Sequence, residues 1–202
     1  MKELILASKS PRRRDLMKLL GHPYKCITSN VEEDYIEGET PSEHVTRLSE
    51  LKAKDVAADI TEGLIIGSDT VVVIDNDILG KPESPAEALE MIMRLQGRSH
   101  TVYTGFAVYN SDTGKMHSGH ETTSVSMRAI STEMAKKYVE TEEPLDKAGS
   151  YGIQGFGAVL IDSIEGCYFN VMGLPLSRLM EAIYISSNGT YNYFGTTGEF
   201  TK

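Results

Sequence analysis

The run Leu64-Ile65-Ile66-Gly67-Ser68-Asp69-Thr70-Val71-Val72-Val73-Ile74 limits the fold more than any other part of the chain. It is rich in β-branched residues, with seven of its eleven positions aliphatic, which suits a strand covered on both faces. Such a strand needs layers of secondary structure on either side of it. One residue does not fit. Asp69 puts a carboxylate in the middle of the run, and an unpaired buried charge is prohibitive, so it must find hydrogen-bond donors, a cation or a metal. Strand alternation places Asp69 on one face with Val71 and Val73, and Thr70 on the other. Gly67 thins the strand and would let a ligand approach closely. A strand-end aspartate bonded to neighbouring backbone is the plainer alternative.

Helical and strand-like segments alternate around this run. Residues 4–7 read as a buried strand, 11–20 as a helix stopped by Gly21, and 24–29 as a second strand. Thr40-Pro41-Ser42-Glu43 is a capping box that opens a long helix to about residue 58, and Ser84-Pro85-Ala86-Glu87 repeats the signature for a helix through Leu95. Asp75-Asn76-Asp77 reads as a turn. Segments 100–110 and 115–128 look like a hairpin pair, Ser131 caps a helix to about 141, 158–164 reads as a strand, and 175–185 as a final helix. The expected fold is α/β, one domain over residues 1–185 with a mixed, partly antiparallel twisted sheet flanked by helices. The segment 186–202, rich in Ser, Asn, Gly and Thr, is expected to be a loosely ordered tail.

The net charge of −9 over 202 residues argues against broad binding to nucleic acid or to an anionic membrane. Against that acidic background, Ser8-Lys9-Ser10-Pro11-Arg12-Arg13-Arg14 stands out. Ser10 is a good N-cap and Pro11 suits the first helical position. Cations in a first turn oppose the macrodipole, so the cluster makes sense if an anion is held there by backbone N–H groups, serine hydroxyls and guanidinium forks. Phosphate is the natural candidate, and a small phosphorylated ligand suits a local basic pocket better than a long polyanion. A solvated basic turn is the bland alternative. Cys26 and Cys167 form no metal pattern and are expected to be free thiols in a reducing compartment. No run approaches a membrane span and no signal peptide is evident, so a soluble cytoplasmic protein is expected.

Other candidates are weaker singly. Lys52 lies beside the stripe Val45, Leu48, Leu51 and Val56, where it would emerge into a cleft. Lys81 is fixed between Gly80 and Pro82. Glu32, Glu33 and Asp34 offer a second carboxylate for Mg²⁺, which takes one or two carboxylates plus phosphate oxygens. The glycine-rich stretch 146–157 carries Gln154, whose amide has both a donor and an acceptor and so fits the edge of a nucleobase. His117 and His120, three apart on a strand, point to opposite faces and cannot chelate one ion without a bulge. No serine sits in a G-x-S-x-G elbow. Asp75-Asn76-Asp77 lacks the residues that would make it a HAD phosphatase motif.

Taken together, these segments resemble the Maf family of nucleoside triphosphate pyrophosphatases over about residues 3–185. The resemblance is carried by Ala7-Ser8-Lys9-Ser10-Pro11-Arg12-Arg13, Gly67-Ser68-Asp69-Thr70-Val71-Val72, Gly80-Lys81-Pro82 and Gly97-Arg98-Ser99-His100-Thr101-Val102-Tyr103-Thr104-Gly105. It continues through residues 146–155 and Asn170-Val171-Met172-Gly173-Leu174-Pro175-Leu176. It implies an ITPase-like fold with a central nucleotide cleft and hydrolysis of a nucleoside triphosphate to the monophosphate and pyrophosphate with a divalent cation, Mg²⁺ or Mn²⁺. Asp69 would be the catalytic carboxylate, as proton acceptor or as a group positioning metal-activated water. Ser8, Arg13, Lys52 and Lys81 would hold the phosphates, and Glu33 with Asp69 the metal. Arg12, Thr70 and Gln154 stand where the family divides by substrate and resemble the branch acting on dTTP and UTP. The alternatives are a pyrophosphatase for a purine or 7-methyl-GTP-like nucleotide, and a nucleotide-binding regulator of cell division with little turnover. A homodimer would be in keeping with the family.

Overall fold

Helices begin where the sequence places their caps. In the computed structural model, which describes residues 2–193, Ser10 caps α1 (Pro11–Lys18), Ser84 caps α3 (Pro85–Leu95) and Ser131 caps α4 (Thr132–Val139). Thr40 opens α2 (Pro41–Ala57) with a full capping box, the Glu43 carboxylate accepting from the Thr40 N–H at 2.9 Å. The strands are β1 (Glu3–Ala7), β2 (Tyr24–Ile27), β3 (Gly63–Ile74), β4 (Asp77–Leu79), β5 (Ser99–Asn110), β6 (Lys115–Met127) and β7 (Ile161–Glu165); a short α5 (Tyr168–Val171) and α6 (Leu176–Ser186) follow, and 3₁₀ turns lie at Glu143–Asp146, Ala148–Ser150 and Gly155–Leu160.

The strands form one mixed seven-stranded sheet in the order β2-β1-β3-β5-β6-β7, with β4 paired to β3. β1 runs parallel to β2 and β3, with Leu4 opposite both Tyr24 and Leu64. β4 and β7 are antiparallel to β3 and β6. Asp75 and Asn76, at φ 54° and 66°, make the left-handed pair that a tight hairpin between β3 and β4 requires.

The described residues cluster into two compact units, the first made of 2–69, Thr104–Glu121 and 173–193, the second of Thr70–Tyr103 and Thr122–Met172. In the first unit α2 lies against the sheet backbone at two glycines. A Cβ on Gly67 would fall 1.9 Å from the Ser49 carbonyl oxygen, and one on Gly105 would fall 2.1 Å from the Val45 carbonyl oxygen. The close approach expected at Gly67 is therefore made by a helix, not by a ligand. The buried stripe of α2 also differs from expectation: Val45, Leu48, Lys52 and Val56 are buried, while Leu51 is 38% exposed. Steps of three and four residues put Lys52 on the inner face.

The second unit packs α3 and α4 around Val72, Leu95, Val102, Val125 and Leu160. Residues 158–164 do not form one strand: Gly155–Leu160 is 3₁₀-helical and β7 starts at Ile161. The tail also departs from expectation. Tyr191 is buried, its hydroxyl donates to the Lys2 carbonyl, and its ring meets His22 edge-on at 4.9 Å. Residues 194–202 of the expected loose tail lie outside the described residues.

Two outcomes follow from this packing. Gly67→Ala pushes a methyl group into a helix carbonyl, so unfolding free energy measured in urea should fall by about 3 kcal/mol or more; an unchanged or higher value would contradict the close seating of α2. In the second unit His100 is buried beside the Tyr151 hydroxyl at 2.7 Å, and its Nδ1 has no hydrogen-bond partner among the described residues. Burial pushes its pKa down to about 4 from the usual 6.5. The unfolded chain then binds the proton more readily between those values, so stability falls as pH drops through that window. The loss at pH 5 relative to pH 7 should be about 2 kcal/mol from this group alone. Urea denaturation at both pH values should show a smaller difference in His100→Gln, and an equal difference would remove His100 from the explanation.

Candidate active site

The Asp69 carboxylate is buried on β3, and its partner is Lys52. The ammonium donates to Asp69 Oδ1 at 2.6 Å and to Glu33 Oε1 at 2.6 Å, so one lysine bridges two carboxylates. Exposure rises along this chain of charge, from 8% of the Asp69 side chain to 47% of Glu33. Asp69 is deep enough to be shielded from bulk water yet linked through Lys52 to a solvent-facing carboxylate. In such a setting ionic interactions are much stronger than at an open surface.

Glu33 belongs to an irregular acidic stretch, and the first unit holds that stretch from α2. Arg47 grips Glu39 with two guanidinium nitrogens and donates to the Asp34 carbonyl at 2.9 Å. That grip holds the Glu39 carboxyl below its ordinary pKa range, despite an opposing effect of burial. The Tyr35 ring stacks on buried His44 at 4.3 Å, with the planes 7° apart. Burial raises the Tyr35 phenol, and the negative charges of Asp69 and Glu33 raise it further. A concavity of about 620 Å³ beside the same stretch is lined by Gly38, Ser42, Thr46, Arg47 and Glu50 among others, and takes in neither Asp69 nor Lys52.

Arg13 is fixed by backbone carbonyls. Its Nε donates to Gly173 at 2.8 Å and its Nη1 to Ser68, the residue before Asp69, at 2.9 Å. Ser68 completes the joint by donating from Oγ to Gly105 and Gly173 at 2.8 and 3.1 Å. Burial lowers the Arg13 pKa, while Asp69 and Glu33 act to raise it, so the guanidinium lies within the field of both carboxylates. Ser8 is buried and accepts from the Ser10 N–H at 3.2 Å, at the head of α1. Arg12 is half-buried on the same turn.

The first unit thus joins Asp69, Lys52 and Glu33 by direct contact and holds Arg13 through Ser68. The remaining candidates belong to the second unit. Thr70 follows Asp69 in the chain and is half-buried; Lys81 and Gln154 are exposed. Lys81 follows Gly80, whose carbonyl accepts from the Gly149 N–H at 3.0 Å, which ties its turn to the glycine-rich segment. Among the described residues no group of three or more His, Cys, Asp or Glu could hold a metal ion. Two carboxylates converging on one cation nevertheless match the donor set Mg²⁺ takes when phosphate oxygens complete its shell. The supports given by Ser68, Gly173 and Arg47 escaped the sequence because they join distant segments. The one signal for Gly173 was its place in the Asn170–Leu176 motif.

The family model described as Maf-like protein matches residues 3–185. Proteins named dTTP/UTP pyrophosphatase are similar over most of the chain. That of Desulforamulus reducens is 45% identical, covering 91% of this chain and 96% of its own. That of Moorella thermoacetica is 47% identical, covering 92% of this chain and 95% of its own. Among solved structures, the Staphylococcus aureus Ham1 protein aligns with 79% of this chain and 80% of its own length at 17% identity and a TM-score of 0.46. By the family model and by its relatives, the chain belongs to the Maf-like protein family.

Proposed function

We propose that this chain hydrolyses dTTP and UTP to the nucleoside monophosphate and pyrophosphate. The observation that carries the reading is the Asp69–Lys52–Glu33 contact, with Arg13 fixed beside it. Relatives at 45–47% identity that are named for this activity support it.

Cleavage between the α and β phosphates separates two anions, and the developing charge on pyrophosphate must be neutralised where water is scarce. Arg13 supplies a guanidinium whose plane is set by two carbonyls, so little ordering remains when phosphate binds. Lys52 and Lys81 add ammonium donors, and Ser8 adds a hydroxyl beside the N-terminus of α1. Asp69 would act on the attacking water, as its proton acceptor or, where it holds the ion, by positioning metal-activated water, while the Lys52 ammonium at 2.6 Å keeps its carboxylate oriented. Glu33 and Asp69 would hold the divalent ion, Mg²⁺ or Mn²⁺. Such an ion supplies Lewis-acid polarisation of phosphoryl oxygens and a lowered pKa for bound water. Arg12, Thr70 and Gln154 would discriminate the base, with Thr70 and Gln154 offering a hydroxyl and an amide to a pyrimidine edge. No helix among the described residues is long and apolar enough to cross a membrane. A homodimer belongs to the same reading and rests on the family alone, while a cytoplasmic location is supported by the free thiols of Cys26 and Cys167.

Asp69→Asn keeps the shape of the side chain and loses its charge. Pyrophosphate release from dTTP and UTP should fall by about 10²–10⁴-fold. Turnover equal to that of the parent would remove Asp69 from the chemistry, and negligible turnover by both proteins despite tight nucleotide binding would favour a regulatory role. Dialysis against a chelator should abolish pyrophosphate release, with Mg²⁺ or Mn²⁺ restoring it; full activity in the chelator would exclude Glu33 and Asp69 as holders of an essential ion.

A further inference from the structure

We propose that Glu143 is a positioning residue for Gln154, presetting the side chain that meets the base; this rests on the reading that Gln154 contacts the nucleotide. The Glu143 carboxylate is a hub for the backbone on both sides of Gln154. Oε2 accepts from the Phe156 N–H at 2.8 Å, and Oε1 accepts from the Gly157 N–H at 3.0 Å and from the Tyr138 hydroxyl at 2.9 Å. The Tyr138 oxygen in turn accepts from the Gly152 N–H at 3.1 Å. Backbone donors on both sides of Gln154 are therefore gathered at one carboxylate, directly or through one hydroxyl.

The segment is closed tightly around this hub. A Cβ on Gly155, which sits at φ +70°, would fall 2.4 Å from Glu143 Oε2, and one on Gly157 would fall 2.3 Å from the Gly152 carbonyl. The two ends of segment 152–157 touch, and Gln154 at its middle is exposed. Glu142 adopts φ +61°, a left-handed conformation that costs about 1–3 kcal/mol in a residue with a side chain. Neighbouring structure must hold that strain, and Glu143 is where the turn delivers its carboxylate. A charged acceptor makes hydrogen bonds roughly twice as strong as neutral ones, so the hub fixes a glycine-bearing loop that would otherwise lose entropy on every binding event.

Glu143→Gln tests this directly. Its amide replaces one acceptor oxygen by a donor facing N–H groups, so it cannot serve all three partners. The parent protein, Glu143→Gln, Tyr138→Phe, Gln154→Ala and the Glu143→Gln/Gln154→Ala double variant are compared by kcat and KM on UTP and CTP. Glu143→Gln should cut the preference for UTP over CTP about tenfold through KM, with kcat on UTP held within about threefold. Tyr138→Phe should move the preference the same way by less, and it carries the test if Glu143→Gln fails to fold. The double variant should show the same preference as Gln154→Ala alone. The proposal is overturned if Glu143→Gln lowers kcat/KM equally for both nucleotides, or if its effect adds in full to that of Gln154→Ala. If Gln154→Ala itself leaves the preference unchanged, the base-reading role falls, and the positioning role falls with it.

Discussion

Asp69 can occupy an apolar strand only because Lys52 reaches it. Losing one partner of a buried ion pair costs about 3–5 kcal/mol, since the other is left uncompensated. The surrounding structure is arranged to bring the two together at 2.6 Å. α2 must lie deep enough for an inward lysine to touch β3, and that depth is possible only where Gly67 and Gly105 present no side chain to the helix carbonyls. The same helix presents Arg47, which holds the acidic stretch from which Glu33 meets the other side of the Lys52 ammonium. One helix therefore sets both carboxylates relative to one cation.

The charge cluster has the features that phosphoanhydride cleavage asks of a protein. Its cations are fixed before substrate arrives: Arg13 by two carbonyls and Lys52 by two carboxylates. Fixed dipoles and charges in a shielded setting stabilise developing charge without reorganising during the reaction. The overall charge of −9 leaves this cluster as a local exception on an acidic protein. A small triphosphate suits it, whereas a long polyanion would meet repulsion beyond the site.

Much of the fold was legible because it is encoded locally. Ser10, Thr40, Ser84 and Ser131 cap helices within a few residues of themselves, and the β3–β4 turn is made by Asp75 and Asn76 alone. Asp69 was legible as an anomaly, since a carboxylate in a β-branched run demands a partner. Which partner was not legible. A lysine on an amphipathic helix reads as solvent-facing until the opposing carboxylate is known, so the apolar pattern alone puts Leu51 on the buried stripe and Lys52 at its margin. Gly67 announced a close approach without saying what approaches. Residues 158–164 looked like a strand from their apolar content, but the Glu143 carboxylate binds the N–H groups of Phe156 and Gly157 and leaves residues 155–160 in a 3₁₀ turn. Contacts between distant segments decided each departure.

The most direct test is a crystal structure with a non-hydrolysable α,β-imido analogue of UTP and Mg²⁺. The arrangement described here predicts the triphosphate within hydrogen-bond reach of Arg13 and Lys52, with the ion on Glu33 and Asp69. A nucleotide bound elsewhere, with no phosphate within reach of Arg13 or Lys52, would contradict it.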